Sequence, residues 1–192
     1  VRRGGDEMKL EWVYDSNFRF FPTMKDDLFG YRLHKVDLAT NKALAAAGRR
    51  EPRDLLDLIY IHEHIVPLGA IMWAAVDKDP GFSPESLITE VRRNGGRYQD
   101  DDFARIASVE PIKAGATMRT LRAALEEAEN FVRAMPTGTE GKLFLKNGKV
   151  VQPDPERMDD YIVHAGQRKG HWPSSSEIDS AMPEAYDKER VE

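Results

Sequence analysis

The run Asp37-Leu-Ala-Thr-Asn-Lys42-Ala-Leu-Ala-Ala-Ala-Gly48-Arg49-Arg50-Glu51-Pro52-Arg53-Asp54-Leu-Leu-Asp57 concentrates the residue types that handle phosphate. Lys42 sits in an alanine-rich stretch. Arg49 follows seven residues later, about two helical turns, so both face one way if the helix reaches that far. Arg53 comes after the break at Pro52, and Asp54 and Asp57, three apart, share a face of the next helix. Three cations beside two carboxylates suit a nucleoside triphosphate and its magnesium. Lys and Arg neutralise phosphate oxygens, while a carboxylate holds the metal or accepts a proton. A plainer explanation also exists. Acids in a first helical turn complement the macrodipole, and Arg50 or Arg53 can pair with Asp54 or Asp57 without any ligand. On composition and spacing alone the plainer explanation is favoured.

The elements that must position these residues can be read along the chain. Residues 8–36 read as extended: Leu10, Trp12 and Tyr14 alternate with polar residues, Phe18, Phe20 and Phe21 lead to Pro22, and Tyr31 to Val36 alternates again. Two or three short antiparallel strands are expected there. Asp37 is the expected N-cap of a helix over 38–47, with Gly48 at its C′ position. Pro52 fits the first turn of a second helix, and Pro67 opens a third that runs to about Val76. Ser83 caps a fourth helix with Pro84 at its first position, and residues 100–107 suggest a short fifth. Met118, Leu121, Leu125, Ala128 and Val132 form one stripe on a helix over 114–134. Residues 141–151 read as a hairpin about Asn147-Gly148, and a last short helix is expected near Tyr161.

Composition sets the outer bounds. The chain has 192 residues, 41% of them hydrophobic, and no cysteine, which excludes disulfides and thiolate metal sites. No apolar run approaches the roughly 18–20 residues needed to span a bilayer, so a cytoplasmic protein without a membrane partner is expected. Residues 174–192 form a polar acidic tail of charge -4, leaving the body near neutral. The expected fold class is α+β, predominantly helical, with a small N-terminal antiparallel sheet and a late β-hairpin. One domain over 1–173 carries it.

Lys42, with Arg49 at +7, Arg53 at +11, Asp54 at +12 and Asp57 at +15, resembles the C-terminal motifs of the AbiEii/AbiGii-type nucleotidyltransferase family. These are bacterial proteins, many of them toxins of abortive-infection or toxin–antitoxin systems. Asp37-Leu-Ala-Thr-Asn-Lys42, Arg49-Arg-Glu-Pro-Arg-Asp54 and Lys78-Asp-Pro-Gly-Phe-Ser-Pro84 carry the likeness. The resemblance implies that Lys42 and Arg49 hold triphosphate, that Asp54 or Asp57 supports metal or base chemistry, and that Arg53 orients one of them. It also implies magnesium and a nucleoside triphosphate in an active protein, with RNA among the possible acceptors. Catalytic members carry Gly-Ser or Gly-Gly and then Asp-x-Asp before the lysine, and no such arrangement precedes Lys42 in this sequence. Asp26-Asp27 lacks the glycines, and Gly95-Gly96…Asp100-Asp101-Asp102 falls after Lys42 and reads as a loop and a helix N-terminus. The expectation is therefore a shortened or inactive version, or one completed by another chain, that transfers nothing alone.

The alternative function is a non-catalytic binding or oligomerisation module. If a catalytic half is missing, Trp12, Phe18, Phe20 and Phe21 are expected to lie exposed and to seat a homodimer or an antitoxin-type partner. His62-Glu63-His64 is read as surface or half-buried histidines, since residues two apart on a helix point to different sides, and no metal ligands are assigned.

Overall fold

The computed structural model describes residues 2–3, 6–7, 16–28, 30–96 and 98–168. Its element order is β1 (Arg2–Arg3), β2 (Asp6–Glu7), β3 (Met24–Asp26), β4 (Gly30–Arg32), α1 (Lys35–Gly48), α2 (Pro52–His64), α3 (Leu68–Ala75), α4 (Pro84–Gly95), α5 (Asp100–Phe103), α6 (Ala114–Ala134), β5 (Lys142–Lys146), β6 (Lys149–Val151) and β7 (Ile162–Ala165). A 3-10 turn over Met158–Asp160 precedes β7. The class is α+β and predominantly helical, as the sequence indicates.

The centre is α3. Its eight residues are all buried, and a helix that is apolar all round belongs inside a core. α2 meets it at a bend of 115° after Pro67, and α1, α4 and α6 pack around it. α6 turns inward a stripe of Leu121, Ala124, Leu125, Ala128, Phe131 and Val132. On its outer side Glu129 pairs with Arg92 of α4 and with Arg133 one turn on. α4 starts with a reciprocal Ser83–Ser86 cap and Pro84 in its first turn. No single helix among the described residues is long and apolar enough to cross a membrane.

β3 and β4 pair antiparallel near the N-terminus, as do β1 and β2. The late sheet has the order β6-β5-β7, antiparallel throughout. Asn147 and Gly148 join β5 to β6 with φ of 53° and 72°, the left-handed pair that a tight two-residue hairpin turn requires.

Several expectations are corrected. His34, not Asp37, is the N-cap of α1; its Nδ1 accepts from the Val36 amide at 3.3 Å. Asp37 is buried in the first turn and reaches outward: its two carboxylate oxygens accept from the Phe20 and Phe21 amides at 2.7 and 3.1 Å. Gly48 closes α1 as its last residue, and Arg49 is the extended C-cap. The short fifth helix ends at Phe103, and the segment near Tyr161 is the 3-10 turn followed by the unforeseen β7.

Phe18 and Phe20 are not exposed. They are 4% and 0% accessible within the chain's own core, with Phe18 lying against Gly166 and Phe21 stacked on His164 at 4.6 Å. The aromatic surface expected to seat a homodimer or an antitoxin-type partner is therefore absent at Phe18 and Phe20, and Phe21 is half-buried. Trp12 and the tail over 174–192 lie outside the described residues.

Candidate phosphate-binding site

α1 carries Lys42 and ends at Gly48 with Arg49 as its C-cap, and α2 begins at Pro52 with Asp54 in its first turn. The side chains meet across this α1–α2 corner. Lys42 Nζ donates to Asp54 Oδ1 at 3.2 Å and pairs with Asp57 Oδ2 at 2.7 Å. Arg49 grips the same Asp54 carboxylate with two donors, Nε to Oδ2 at 2.8 Å and Nη2 to Oδ1 at 3.2 Å. A two-pronged guanidinium fixes orientation as well as charge. The Asp54 side chain is 1% exposed, while Lys42 and Arg49 are 36% and 60% exposed. The carboxylate is the buried post, and the two cations are its half-solvated ends.

Local sequence explains the corner. Pro52 suits the first turn of α2, where no amide partner is needed, and the Glu51 carboxylate accepts from the Arg53 amide at 3.4 Å as N-cap. Asn94, buried on α4, donates Nδ2 to the Ala46 and Ala47 carbonyls at 3.0 and 2.8 Å. It thereby satisfies carbonyls at the end of α1 that lack helical partners and pins the end that carries Arg49.

Above the corner lies a concavity of about 960 Å³. Lys42, Arg49, Arg50, Arg53 and Asp54 line one side; Tyr98, Asp101, Asp102, Arg105 and Ile106 line the other. The second wall is α5 and the segments flanking it. The Asp102 carboxylate accepts from the Gln99 amide at 2.7 Å, and Asp100 accepts from the Ala114 amide at 2.8 Å, tying α5 to the start of α6. Arg50 extends over the Tyr98 ring, 5.9 Å from its centroid, and Phe103 meets that ring edge-on.

Electrostatics favour a charged Lys42. Burial alone would lower its pKa, but the hydrogen bonds and charges of Asp57 and Asp54 outweigh burial and hold it above the usual lysine value. The Tyr98 hydroxyl is raised, chiefly by burial, so it stays protonated across the neutral range.

The structure thus brings Lys42, Arg49, Arg53 and Asp54 to one surface. Asp57 reaches Lys42 from the side but does not line the concavity. Arg53 orients neither aspartate; that role falls to Arg49, while the Arg53 side chain lines the open face. No local sequence pattern points to Tyr98, Arg105 or Ile106, which the fold brings to the concavity. The one signal near them is an aromatic beside an acidic helix start about forty residues after Asp57. The His62 ring serves the fold: Nδ1 accepts from the Leu68 amide at 3.3 Å, and Nε2 lies 3.5 Å from Glu127. Among the described residues no group of three or more His, Asp or Glu is placed to hold a metal ion.

Compared with known protein families, characterised proteins and solved structures, the chain matches none.

Proposed function

We propose that this chain binds a nucleoside triphosphate in the α1–α2–α5 concavity, as a nucleotidyltransferase-like protein of the AbiEii type. One observation carries the reading. Lys42 and Arg49 are held side by side by a single buried carboxylate at the wall of a cavity that Arg50, Arg53 and Arg105 also line. Cations fixed before the ligand arrives cost little ordering on binding, and phosphate oxygens are the matching acceptors. No carboxylate among the described residues lies within ion-pair distance of the Arg50, Arg53 or Arg105 guanidinium, so these three add positive charge to that of the Lys42–Arg49 pair.

Magnesium fits this corner poorly. Both Asp54 oxygens already accept from Lys42 and Arg49, and the near Asp57 oxygen is on Lys42. Asp54 is here a positioning residue, and the role of metal or base group that the resemblance gives it is not supported by its surroundings. The same observation favours a second reading, a binding module that holds the nucleotide without transferring it. Incubation with labelled nucleoside triphosphates, magnesium and cellular RNA separates the two. Label fixed to RNA supports transfer, while saturable binding without fixed label supports the module. Absence of both contradicts the proposal.

A further inference from the structure

The two walls of the concavity differ in kind. The α1–α2 side carries four cations, Lys42, Arg49, Arg50 and Arg53, against two carboxylates, Glu51 and Asp54. The α5 side presents Tyr98, the one aromatic ring among the described lining residues, together with Asp101, Asp102, Arg105 and Ile106, and Arg50 bridges the walls by lying over that ring. Inorganic phosphate or polyphosphate needs only the first wall. An arginine laid over an aromatic is itself a flat, weakly hydrated surface on which a heterocycle stacks. Such stacking is a main source of nucleotide affinity where no base-edge contacts exist. A volume of about 960 Å³ exceeds what a triphosphate group alone fills and lies at the upper end of the range for small-molecule sites.

We propose that the Arg50–Tyr98 pair is the seat of the ligand's heterocyclic base, so that the site selects a nucleotide over an inorganic polyphosphate. This rests on the nucleoside triphosphate reading above and goes beyond it, because that reading needs only the cations. The triphosphate lies toward Arg49 and Arg53, and the base is laid against the guanidinium face of Arg50 with Tyr98 supporting it from behind. Stacking reads a π-face rather than a base edge, so discrimination among the four bases is weak.

The test compares adenosine triphosphate with inorganic tripolyphosphate by calorimetric titration of the full chain, in the same buffer and magnesium concentration. The wild-type chain is expected to bind the nucleotide about tenfold more tightly. Tyr98→Leu, which removes the ring, and Arg50→Lys, which keeps the charge but loses the flat guanidinium, are each expected to bring the ratio to about one. Tyr98→Phe keeps the ring and is expected to keep the ratio. Arg50 is exposed, so Arg50→Lys decides the matter if Tyr98→Leu does not fold. Equal affinity for the two probes in the wild type, or a ratio that survives Arg50→Lys, overturns the base seat and leaves triphosphate binding standing. Binding of neither probe overturns both.

Discussion

Asp54 of α2 accepts a hydrogen bond from Lys42 of α1 at 3.2 Å, with its own side chain 1% exposed, so the residue that the sequence offers as chemistry is also the post that joins two helices. The arrangement is asymmetric. Deleting Asp54 severs the first turn of α2 from both Lys42 and Arg49, whereas deleting Lys42 leaves Asp54 still gripped by Arg49 through two donors. Asp54→Ala removes the buried charge and leaves two half-solvated cations, so it is expected to cost about 1.5–3 kcal/mol, the range for losing hydrogen bonds to a charged group. Lys42→Met is expected to cost about 1 kcal/mol or less, because the lysine end of both its pairs is half solvated and Asp54 keeps Arg49. Urea denaturation of both variants checks the order. A Lys42→Met loss as large as that of Asp54→Ala contradicts the role given to Arg49.

The pinned end of α1 makes a separate prediction. Asn94→Ala removes the Nδ2 group that alone, among the described residues, donates to the Ala46 and Ala47 carbonyls, at a buried position. A loss of about 1–3 kcal/mol is expected, the cost of leaving buried acceptors unsatisfied. Because Arg49 follows directly, nucleotide affinity should fall as well. Melting curves and calorimetry on the same sample read both, and a stable variant with unchanged affinity contradicts the coupling.

Lys42 and His34 titrate with opposite signs. The folded pKa of Lys42 is raised, so its contribution is fully present below the unfolded value, about 10.4, and is lost as pH rises through the folded one. The pKa of His34 is lowered, by burial first and then by Lys35 and Arg32, with Asp37 opposing. Its contribution is present above the unfolded value, about 6.5, and is lost as pH falls through the folded one. Protonation there also takes away the Nδ1 lone pair that caps α1. His34→Asn supplies a capping oxygen that does not titrate. The variant should therefore lose less stability than wild type between pH 7 and pH 5. Parallel stability curves for the two proteins over that range would refute the cap's part in acid sensitivity.

Gly166 tests the burial of the N-terminal aromatics. A Cβ built there would stand 2.0 Å from the Phe18 ring, which is not the end of a flexible chain but a 4%-exposed core group. Gly166→Ala is expected to destabilise by about 1–3 kcal/mol through overpacking. Combining it with Phe18→Leu should recover part of that loss, as expected for residues in contact. Additive losses would show that the two do not touch in solution.

Much of the fold is legible in the sequence where its signals are local. The Ser83-Pro84 start of α4, the Pro52 start of α2, the stripe on α6 and the Asn147-Gly148 turn each depend on residues within a few positions of one another, and each is found where the spacing puts it. The seven-residue interval from Lys42 to Arg49 is of the same kind. Asp37 fails as a predicted cap because its acceptor oxygens serve amides 16 and 17 residues back, which no local pattern records. β7 is four residues long and gains its identity only from pairing with β5. The Tyr98–Arg105 wall reaches the α1–α2 corner through the packing of α4 on α1, so the cavity exists only once the chain has folded back.

The claim that the concavity is a nucleoside triphosphate site is tested most directly by calorimetric titration of adenosine triphosphate with magnesium into wild type, Arg53→Ala and Lys42→Met. Arg53 is exposed and pairs with no carboxylate among the described residues, so its removal should leave the fold intact. Saturable binding by the wild-type chain, weakened about tenfold or more in each variant while both stay folded, is the predicted result. No binding by the wild type, or binding of equal strength in all three proteins, would contradict the account.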